Sequence, residues 1–314
     1  MKKHKNVDIS LIIPAYNEES NIRPLVSLIN DFRKNSENTI EAIIVNDGSS
    51  DGTDREIQNC SKEYDFIVHK KHKTNIGMTE GILTGLKAST GKYLVIFPAD
   101  LQYKPDCIKD LVSPLEQGYD MVTGFKEGNY DKKVVSFFYN KLSRWIFKKV
   151  NVKDLNSVKA MKREVLEGLN LRKDWHRYIA VLASEKGYKI TETKVTLYPR
   201  HSGESKFSGK SRILVGIFDM LSVKFLLSFS QKPLLLFGTL GLSLILLGIL
   251  TGVCAIIARV FFQAGFRPLL YLVMLLIMIG VNFFALGFIA ELIVMLRERI
   301  EKLEKKINSG DNEE

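Results

Sequence analysis

Apolar runs of three to five residues alternate with helix-periodic stretches through the first hundred residues. The first run, residues 9–13, ends at Pro14, and the stretch behind it repeats apolar residues at helical spacing through Phe32. A short continuous apolar run is typical of a strand that is buried on both faces of a sheet. The strands predicted in this part of the chain cover residues 9–13, 42–45, 66–68 and 93–97, with helices after each of the first three.

This alternation continues beyond residue 100. Apolar positions at helical spacing predict a helix over residues 105–116, and another strand begins at residue 120. Strands that alternate with helices form βαβ units with right-handed crossovers. The predicted fold class is therefore α/β, with a mostly parallel sheet.

Two long uncharged segments near the end of the chain have a different pattern. Residues 234–258 and 268–290 contain no charged side chain. Both exceed the roughly 20 residues that a helix needs to span a hydrocarbon core. The short segment between them predicts a transmembrane helical hairpin. Basic residues flank the hairpin on both sides, so we expect both termini in the cytoplasm, although Arg259 and Arg267 in the connecting loop weaken the contrast.

The segments on either side of the hairpin are amphipathic. Residues 211–230 carry apolar side chains at helical spacing among basic ones. They are expected to form one or two helices at the bilayer surface, and a core helix of a soluble domain is the alternative. After the hairpin, apolar residues from Ile293 to Ile307 repeat at a/d spacing among Glu and Lys, which permits self-association as a homo-oligomer.

Composition agrees with this division. The 314-residue chain has a net charge of +10, and its apolar residues are concentrated after residue 230. Three scattered cysteines show neither a disulfide framework nor metal-ligand spacing, as expected in a reducing compartment. The predicted division is a domain over residues 1–210, juxtamembrane helices over 211–232, two transmembrane helices within 233–296, and a charged tail over 297–314.

Polar turns follow three of the predicted strands, at residues 16–18, 46–51 and 100–102. In an open α/β sheet, ligands bind at the carboxyl ends of the strands. Asp100 and Gln102 offer two oxygen ligands to a hard divalent cation that shares its shell with substrate phosphates; an Asp that caps the next helix is the alternative. No glycine-rich phosphate loop follows a strand. The pattern therefore favours nucleotide binding through acidic loops.

Three segments together carry a resemblance to a known family. They resemble the inverting family 2 glycosyltransferases of the GT-A fold, most closely the dolichyl- or undecaprenyl-phosphate sugar synthases, over roughly residues 7–210. The segments are Pro14-Ala15-Tyr16-Asn17-Glu18-Glu19, Asn46-Asp47-Gly48-Ser49-Ser50-Asp51-Gly52-Thr53 and Ala99-Asp100-Leu101-Gln102.

The resemblance implies roles for these residues. Pro14, Tyr16 and Glu18 would line the nucleobase and ribose pocket together with Asp47. Asp100 and Gln102 would be the ligands of a divalent cation, Mg²⁺ or Mn²⁺.

The chain departs from the family pattern at two acidic positions. Pro98 stands where the family has the first acid of Asp-Ala-Asp-Leu-Gln, and Asn46 replaces the first acid of an Asp-Asp pair. With one carboxylate fewer beside the diphosphate, either the metal binds more weakly or basic residues take over part of its role.

Basic residues extend the resemblance further along the chain. Lys126 and Lys159 stand where the family has arginines that face a phosphate. Residues 200–207 resemble the Arg-x-x-Gly-x-Ser-Lys element of these synthases, so Arg200, Ser205 and Lys206 would bind the lipid phosphate. The alternatives are solvated surface lysines and a positive-inside flank of the membrane segment.

The catalytic set implied by the resemblance has five members: Asp100, Lys126, Lys159, Arg200 and Lys206. Residues 173–178 are expected to border the acceptor groove. Within them His176 is interpreted as a loop histidine rather than a catalytic base.

The expected activity is inverting transfer of a sugar from a UDP or GDP sugar to a polyprenyl phosphate at the cytoplasmic membrane face. A phosphate monoester is largely dianionic at pH 7 and attacks without a general base. No nucleic-acid partner is expected. A processive polysaccharide synthase would need a Gln-x-x-Arg-Trp element and more spanning helices, and the sequence has neither. The other alternative, motivated by Pro98, is a catalytically silent membrane scaffold that binds sugar nucleotides.

Overall fold

The computed structural model describes residues 7–127, 141–147, 150, 152–199, 211–229, 232–262 and 267–310. The chain divides into two compact units, residues 1–216 and residues 217–314.

A seven-stranded sheet forms the centre of the first unit. Its strand order is β3-β2-β1-β4-β6-β5-β7. All pairs are parallel except the two that involve β6, which runs antiparallel to both neighbours. The strands are β1 Ile9–Ala15, β2 Ile40–Asn46, β3 Ile67–Lys71, β4 Tyr93–Ile96, β5 Met121–Glu127, β6 Lys159–Lys162 and β7 Ile190–Thr196.

Helices follow the strands as the βαβ pattern requires. Their apolar stripes are buried against the sheet, as Ile22, Leu25 and Ile29 show for α1. The helices of this unit are α1 Glu19–Lys34, α2 Thr53–Glu63, α3 Met78–Ala88, α4 Cys107–Glu116, α5 Arg163–Glu167 and α6 Ile179–Glu185, with a 3₁₀ helix at Trp175–Tyr178 and a helical segment at 141–146.

Three more helices follow: α7 Ser211–Phe229, α8 Pro233–Phe262 and α9 Arg267–Gly310. Two segments, Pro233–Phe261 and Arg267–Ile300, are long and apolar enough to cross a membrane. Within each segment's most apolar stretch, only 11% is buried inside the molecule. A core helix of a soluble protein would be mostly buried, so the apolar surface of these helices is available to lipid.

The α/β class and the mostly parallel sheet are confirmed. The predicted elements agree with the observed ones to within about two residues at most ends, which is the usual uncertainty of helix and strand boundaries. The antiparallel β6 and the edge strand β7 were not predicted.

Candidate functional site

The loop after β4 places Asp100 and Gln102 at the carboxyl edge of the sheet. Between them, Leu101 has a left-handed backbone with φ of 59°. The Asp100 carboxylate accepts a hydrogen bond from the Gln102 backbone N–H at 3.3 Å. The Gln102 carbonyl accepts one from the backbone N–H of Tyr198 at 2.9 Å, which ties the loop to the segment after β7. The geometry of the loop is thus set from both sides.

A cavity of about 200 Å³ lies beside this loop. One wall is apolar and includes Met78, Ile82, Ile96 and Pro98. The polar and charged side chains that line it include Asp100, Gln102, Lys126, Lys159, His176 and Arg177. Four residues predicted to serve catalysis or metal binding are therefore brought together, although they come from three separate parts of the chain.

Lys126 reaches the cavity from the end of β5. Its ammonium lies 3.3 Å from the Asp154 carboxylate and donates to the Asn156 carbonyl at 3.2 Å. Asp154 is buried, and its other carboxylate oxygen accepts the Asn156 N–H at 2.9 Å. Lys126 is therefore already paired with an anion at the cavity wall.

Lys159 is held still more firmly. Its side chain is buried, and Nζ donates to the carbonyls of Leu155 and Ser157, each at 2.8 Å. Burial lowers the pKa of Lys159 to about 8, because a cation loses hydration in the protein interior; nearby Asp154 opposes the shift. Lys159 thus fixes the turn over residues 155–158 that lines the cavity.

His176 and Arg177 lie on the 3₁₀ helix and border the same cavity. The backbone N–H of His176 donates to Thr79 Oγ1 at 3.4 Å, and the ring Nδ1 lies 3.2 Å from the same oxygen. Burial, with a smaller contribution from neighbouring Arg177, lowers the pKa of His176 to about 3. A pKa this low makes the imidazole a weak proton acceptor at physiological pH. Arg177 belongs to the segment 173–178 that was expected to border the acceptor groove, but no role was predicted for its side chain, because its position depends on the contact between His176 and Thr79.

The two loops predicted to bind the nucleotide are joined to each other. The backbone N–H of Glu18 donates to Thr53 Oγ1 at 2.8 Å, and the Asn17 N–H donates to Ser49 Oγ at 3.0 Å. Tyr16, in the first loop, exposes 36% of its surface. Pro14 lies in β1 at the level of Val45 in β2. These positions leave Tyr16 accessible to a planar base.

Asp47 is occupied by protein contacts. Its buried carboxylate accepts hydrogen bonds from the backbone N–H groups of Ile76 and Gly77, at 3.0 and 2.9 Å, and lies 2.8 Å from His72 Nδ1. It therefore orders the turn that precedes α3. Its nucleotide contact stays a prediction.

Asn46 has a physical reason to be an amide. Its Oδ1 accepts the Ser49 N–H at 3.0 Å, and its Nδ2 donates to the Asp54 carboxylate at 2.9 Å. A carboxylate at position 46 would place two like charges in contact at a buried site, which is strongly unfavourable.

The oxygen ligands at the cavity suit a cation that is also bound by a substrate. Asp100 provides a carboxylate and Gln102 an amide oxygen, whereas Pro98 adds an apolar ring. Among the described residues, no group of three or more His, Cys, Asp or Glu side chains is placed to hold a metal. This arrangement suits Mg²⁺, which is usually bound through one or two carboxylates and substrate phosphates rather than by a full protein cage. Arg200, Ser205 and Lys206 lie outside the described residues.

Solved structures share this fold. Glucosyl-3-phosphoglycerate synthase from Mycobacterium tuberculosis, crystallised with Mn²⁺, UDP and glucosyl-3-phosphoglycerate, is 17% identical. The match has a TM-score of 0.55 and covers 69% of this chain and 80% of that protein. The likeness confirms the predicted GT-A fold.

Two curated relatives match over nearly the whole chain, and a third matches over a smaller part of it. Dodecaprenyl-phosphate galacturonate synthase from Rhizobium johnstonii is 29% identical, over 92% of this chain and 88% of the relative. Undecaprenyl-phosphate 4-deoxy-4-formamido-L-arabinose transferase from Shewanella sediminis is 28% identical, over 93% and 89%. Dolichol-phosphate mannosyltransferase from Pyrococcus furiosus is 30% identical, over 65% and 60%.

The family model described as "Glycosyl transferase family 2" matches residues 10–165. This match contains all three motifs of the predicted resemblance, together with Lys126 and Lys159. Residues 10–165 therefore form a domain of glycosyl transferase family 2, and the chain is a glycosyltransferase.

Proposed function

We propose that this enzyme transfers a sugar from a nucleoside diphosphate sugar to a polyprenyl phosphate. The observation that carries the proposal is a cavity at the carboxyl edge of the sheet that Asp100, Gln102, Lys126 and Lys159 all line. The same chain has two helices long and apolar enough to cross a membrane, which would hold the enzyme beside a lipid acceptor. The names of the curated relatives support the same class of acceptor.

Asp100 and Gln102 would hold a divalent cation, Mg²⁺ or Mn²⁺. Such a cation, when bound, supplies positive charge to the leaving diphosphate. The solved relatives that hold Mn²⁺ or Mg²⁺ together with UDP support this class of ligand. The residues of this chain orient the donor: the joined loops around Tyr16 and Glu18 would hold the base and ribose, and Lys126 would lie beside the diphosphate.

The acceptor phosphate would act as the nucleophile without help from a base. A phosphate monoester has a second pKa near 6 and carries two negative charges at neutral pH. His176, which borders the cavity, is a weak base because its pKa lies at about 3. Direct attack on the anomeric carbon from the side opposite the leaving group would invert its configuration.

We place the reaction at the cytoplasmic face of the membrane. The flanking basic residues support this orientation. The donor is either a UDP sugar or a GDP sugar. The proposed ligands of the lipid phosphate remain Arg200, Ser205 and Lys206. Self-association through the segment from Ile293 to Ile307 is part of the same proposal.

The test compares Asp100→Ala with Asp106→Ala in the full-length protein in detergent. Asp106 is exposed, and its carboxylate makes no hydrogen bond or ion pair with the residues that the structure describes. With UDP or GDP sugars and polyprenyl phosphate, Asp100→Ala should lose on the order of 100-fold in turnover, as expected when one electrostatic contact to the reacting groups is removed. Asp106→Ala should match wild type. Similar turnover in both variants would refute the site, and no transfer by wild type with any donor would refute the function.

A further inference from the structure

Three cationic side chains line the cavity, and they differ in the partners that the protein already supplies. Lys126 has the Asp154 carboxylate at 3.3 Å. Lys159 donates to two carbonyls from a buried position. The guanidinium of Arg177 has no ion pair or hydrogen bond to any residue in the part of the chain that the structure describes, although Arg177 is only partly exposed and lines the cavity. It is therefore the cation of this wall for which the described residues supply neither a carboxylate nor a carbonyl acceptor.

The position of Arg177 is fixed by the residues on either side of it. His176 is bonded to Thr79 through both its backbone N–H and its ring. Tyr178 is 1% exposed, and its ring packs against Phe147 with a centroid distance of 6.0 Å. With both neighbours anchored, the backbone at Arg177 has little freedom. The fold thus holds Arg177 at the cavity.

The chemistry of the guanidinium selects the ligand. Arginine stays charged at all physiological pH values, and burying a charge without a partner is costly. Its planar fork of donors matches the oxygens of a phosphate in a bidentate arrangement, which an ammonium cannot reproduce. A phosphate group in the cavity would therefore balance the charge.

We propose that Arg177 binds the phosphate of the lipid acceptor, with the imidazole of His176 donating a hydrogen bond beside it. This inference rests on the proposed function. In the proposed function, the diphosphate of the donor contacts a cation that Asp100 and Gln102 hold, and Lys126 lies beside it. The acceptor phosphate brings two negative charges of its own, and Arg177 is the described cation left to receive them.

The contact with Thr79 prepares His176 for this role. The Thr79 hydroxyl accepts the backbone N–H of His176 and is within reach of Nδ1, so it can donate its own proton there. In that arrangement the imidazole proton resides on Nε2, and the ring acts as a neutral donor. A neutral donor beside an arginine avoids repulsion between two cations.

The experiment measures acceptor and donor separately in the full-length enzyme in detergent. Arg177→Gln should raise the KM for polyprenyl phosphate by at least about tenfold, since a charge-assisted contact is lost. Calorimetric affinity for UDP or GDP should stay within about twofold of wild type. Arg177→Lys should recover part of the loss, because it restores charge without the fork. Arg172→Gln is the matched control, since Arg172 is exposed and its guanidinium stacks over Trp175 at 5.2 Å.

A binding experiment tests this inference separately from the proposed function. A short-chain polyprenyl phosphate, titrated without donor, should bind wild type at least about tenfold more tightly than Arg177→Gln. The uncharged short-chain polyprenol should not distinguish the two proteins. If wild type transfers no sugar, the proposed function fails, yet this titration still decides the role of Arg177. Loss of nucleotide affinity with unchanged acceptor binding, or no change in either, would overturn the inference.

Discussion

Three non-glycine residues in the described part of the chain have a left-handed backbone: Asn17, Leu101 and Asp174, with φ of 54°, 59° and 64°. Asn17 lies in the first nucleotide loop, Leu101 between Asp100 and Gln102, and Asp174 immediately before the 3₁₀ helix. Such conformations cost about 1–3 kcal/mol each, most for a side chain such as Leu, and persist only where the surroundings enforce them. Leu101 lies between two residues that line the cavity, so its left-handed backbone helps to set the directions of Asp100 and Gln102.

Lys159 gives a prediction about pH. Burial lowers its pKa to about 8, so the side chain loses its charge as the pH rises through that value. If its charge assists the leaving diphosphate, the rate of sugar transfer should fall above about pH 8. Lys159→Arg keeps its charge and should abolish the fall, whereas Lys126→Arg should retain it. The measurement is the transfer rate from roughly pH 7 to 9.5, with thermal unfolding to confirm that each variant is folded.

A flat profile in wild type would contradict a charge role. A neutral amine still has two N–H groups, which is enough for the carbonyls of Leu155 and Ser157. Lys159 would then act only by holding the turn that lines the cavity.

These residues also show what the sequence can and cannot predict about the site. Asp100 and Gln102 are predictable because an apolar strand ends just before them. The burial of Lys159 is not, since a lysine in a motif gives no sign of which carbonyls it will meet. The segment that contains Arg177 was predicted to border a groove, but no role was predicted for Arg177 itself, because Thr79 lies 97 positions before His176, the neighbour that it anchors. Long-range contacts of this kind are set by the packing of elements and leave no local pattern.

At the scale of elements, the turn after β2 depends on Gly48. Gly48 has φ of +65°, and a Cβ there would lie 2.3 Å from the backbone carbon of Thr74 and 2.6 Å from the nitrogen of Asn75. That backbone leads into the turn whose N–H groups bind Asp47. The close approach of the two loops therefore requires a glycine.

Gly48→Ala should destabilise the fold by about 2–4 kcal/mol, from the left-handed backbone together with the clash. Gly118→Ala is the matched control, because Gly118 also has a positive φ, of 102°, but open space around it. The control should lose only about 1–2 kcal/mol. Denaturant unfolding of the two full-length variants measures the difference, and equal losses would show that the contact with Thr74 and Asn75 is not limiting.

The sheet shows which elements a pattern can predict. Strands β1, β2 and β4 each contain at least three consecutive apolar residues, and all three were predicted. Strand β6 has only four residues, of which the first and last are lysines, and β7 is largely polar at the sheet edge. Neither has enough apolar signal to separate it from a loop. Their place in the sheet comes from pairing with β4 and β5.

Helices α8 and α9 cross closely at two glycines. A Cβ on Gly241 would lie 2.6 Å from the carbonyl oxygen of Gly280, and a Cβ on Gly280 would lie 2.7 Å from that of Gly241. Small residues let membrane helices approach until their backbones touch. Gly252 is different, since its nearest neighbour, Val273, would be at 3.4 Å, an ordinary contact.

Gly241→Ala should therefore lower the thermal stability of the detergent-solubilised protein, by about 1–3 kcal/mol, through overpacking at the crossing. Gly252→Ala should be close to wild type or slightly more stable, because alanine favours helix more than glycine does. The readout is loss of soluble folded protein with temperature for both variants. A Gly241→Ala protein as stable as the Gly252→Ala protein would mean that the two helices move apart at little cost.

At the scale of the whole molecule, charge and hydropathy divide the chain in the same place. The apolar stretches of α8 and α9 have a mean hydropathy of 2.6, whereas the rest of the chain carries almost all of the 80 residues of Lys, Arg, Asp and Glu. Membrane-spanning helices are the most predictable elements here, because each shows its whole signal within one continuous segment. The set of residues that line the cavity is less predictable, since these residues lie far apart in sequence.

The orientation of the hairpin gives the last prediction. Basic residues precede α8 and follow the second apolar stretch, and this bias predicts that both ends lie in the cytoplasm and the connecting segment outside. In a variant without native cysteines, a cysteine at Ala264 should react with a membrane-impermeant maleimide in intact spheroplasts. A cysteine at Ser309 should react only after lysis. Arg259 and Arg267 oppose the bias, so changing both to Gln should leave the labelling pattern unchanged or sharpen it. Labelling of position 309 from outside would mean that the orientation is the reverse of the predicted one. The C-terminal end would then lie on the side of the membrane opposite to a cytoplasmic sugar donor.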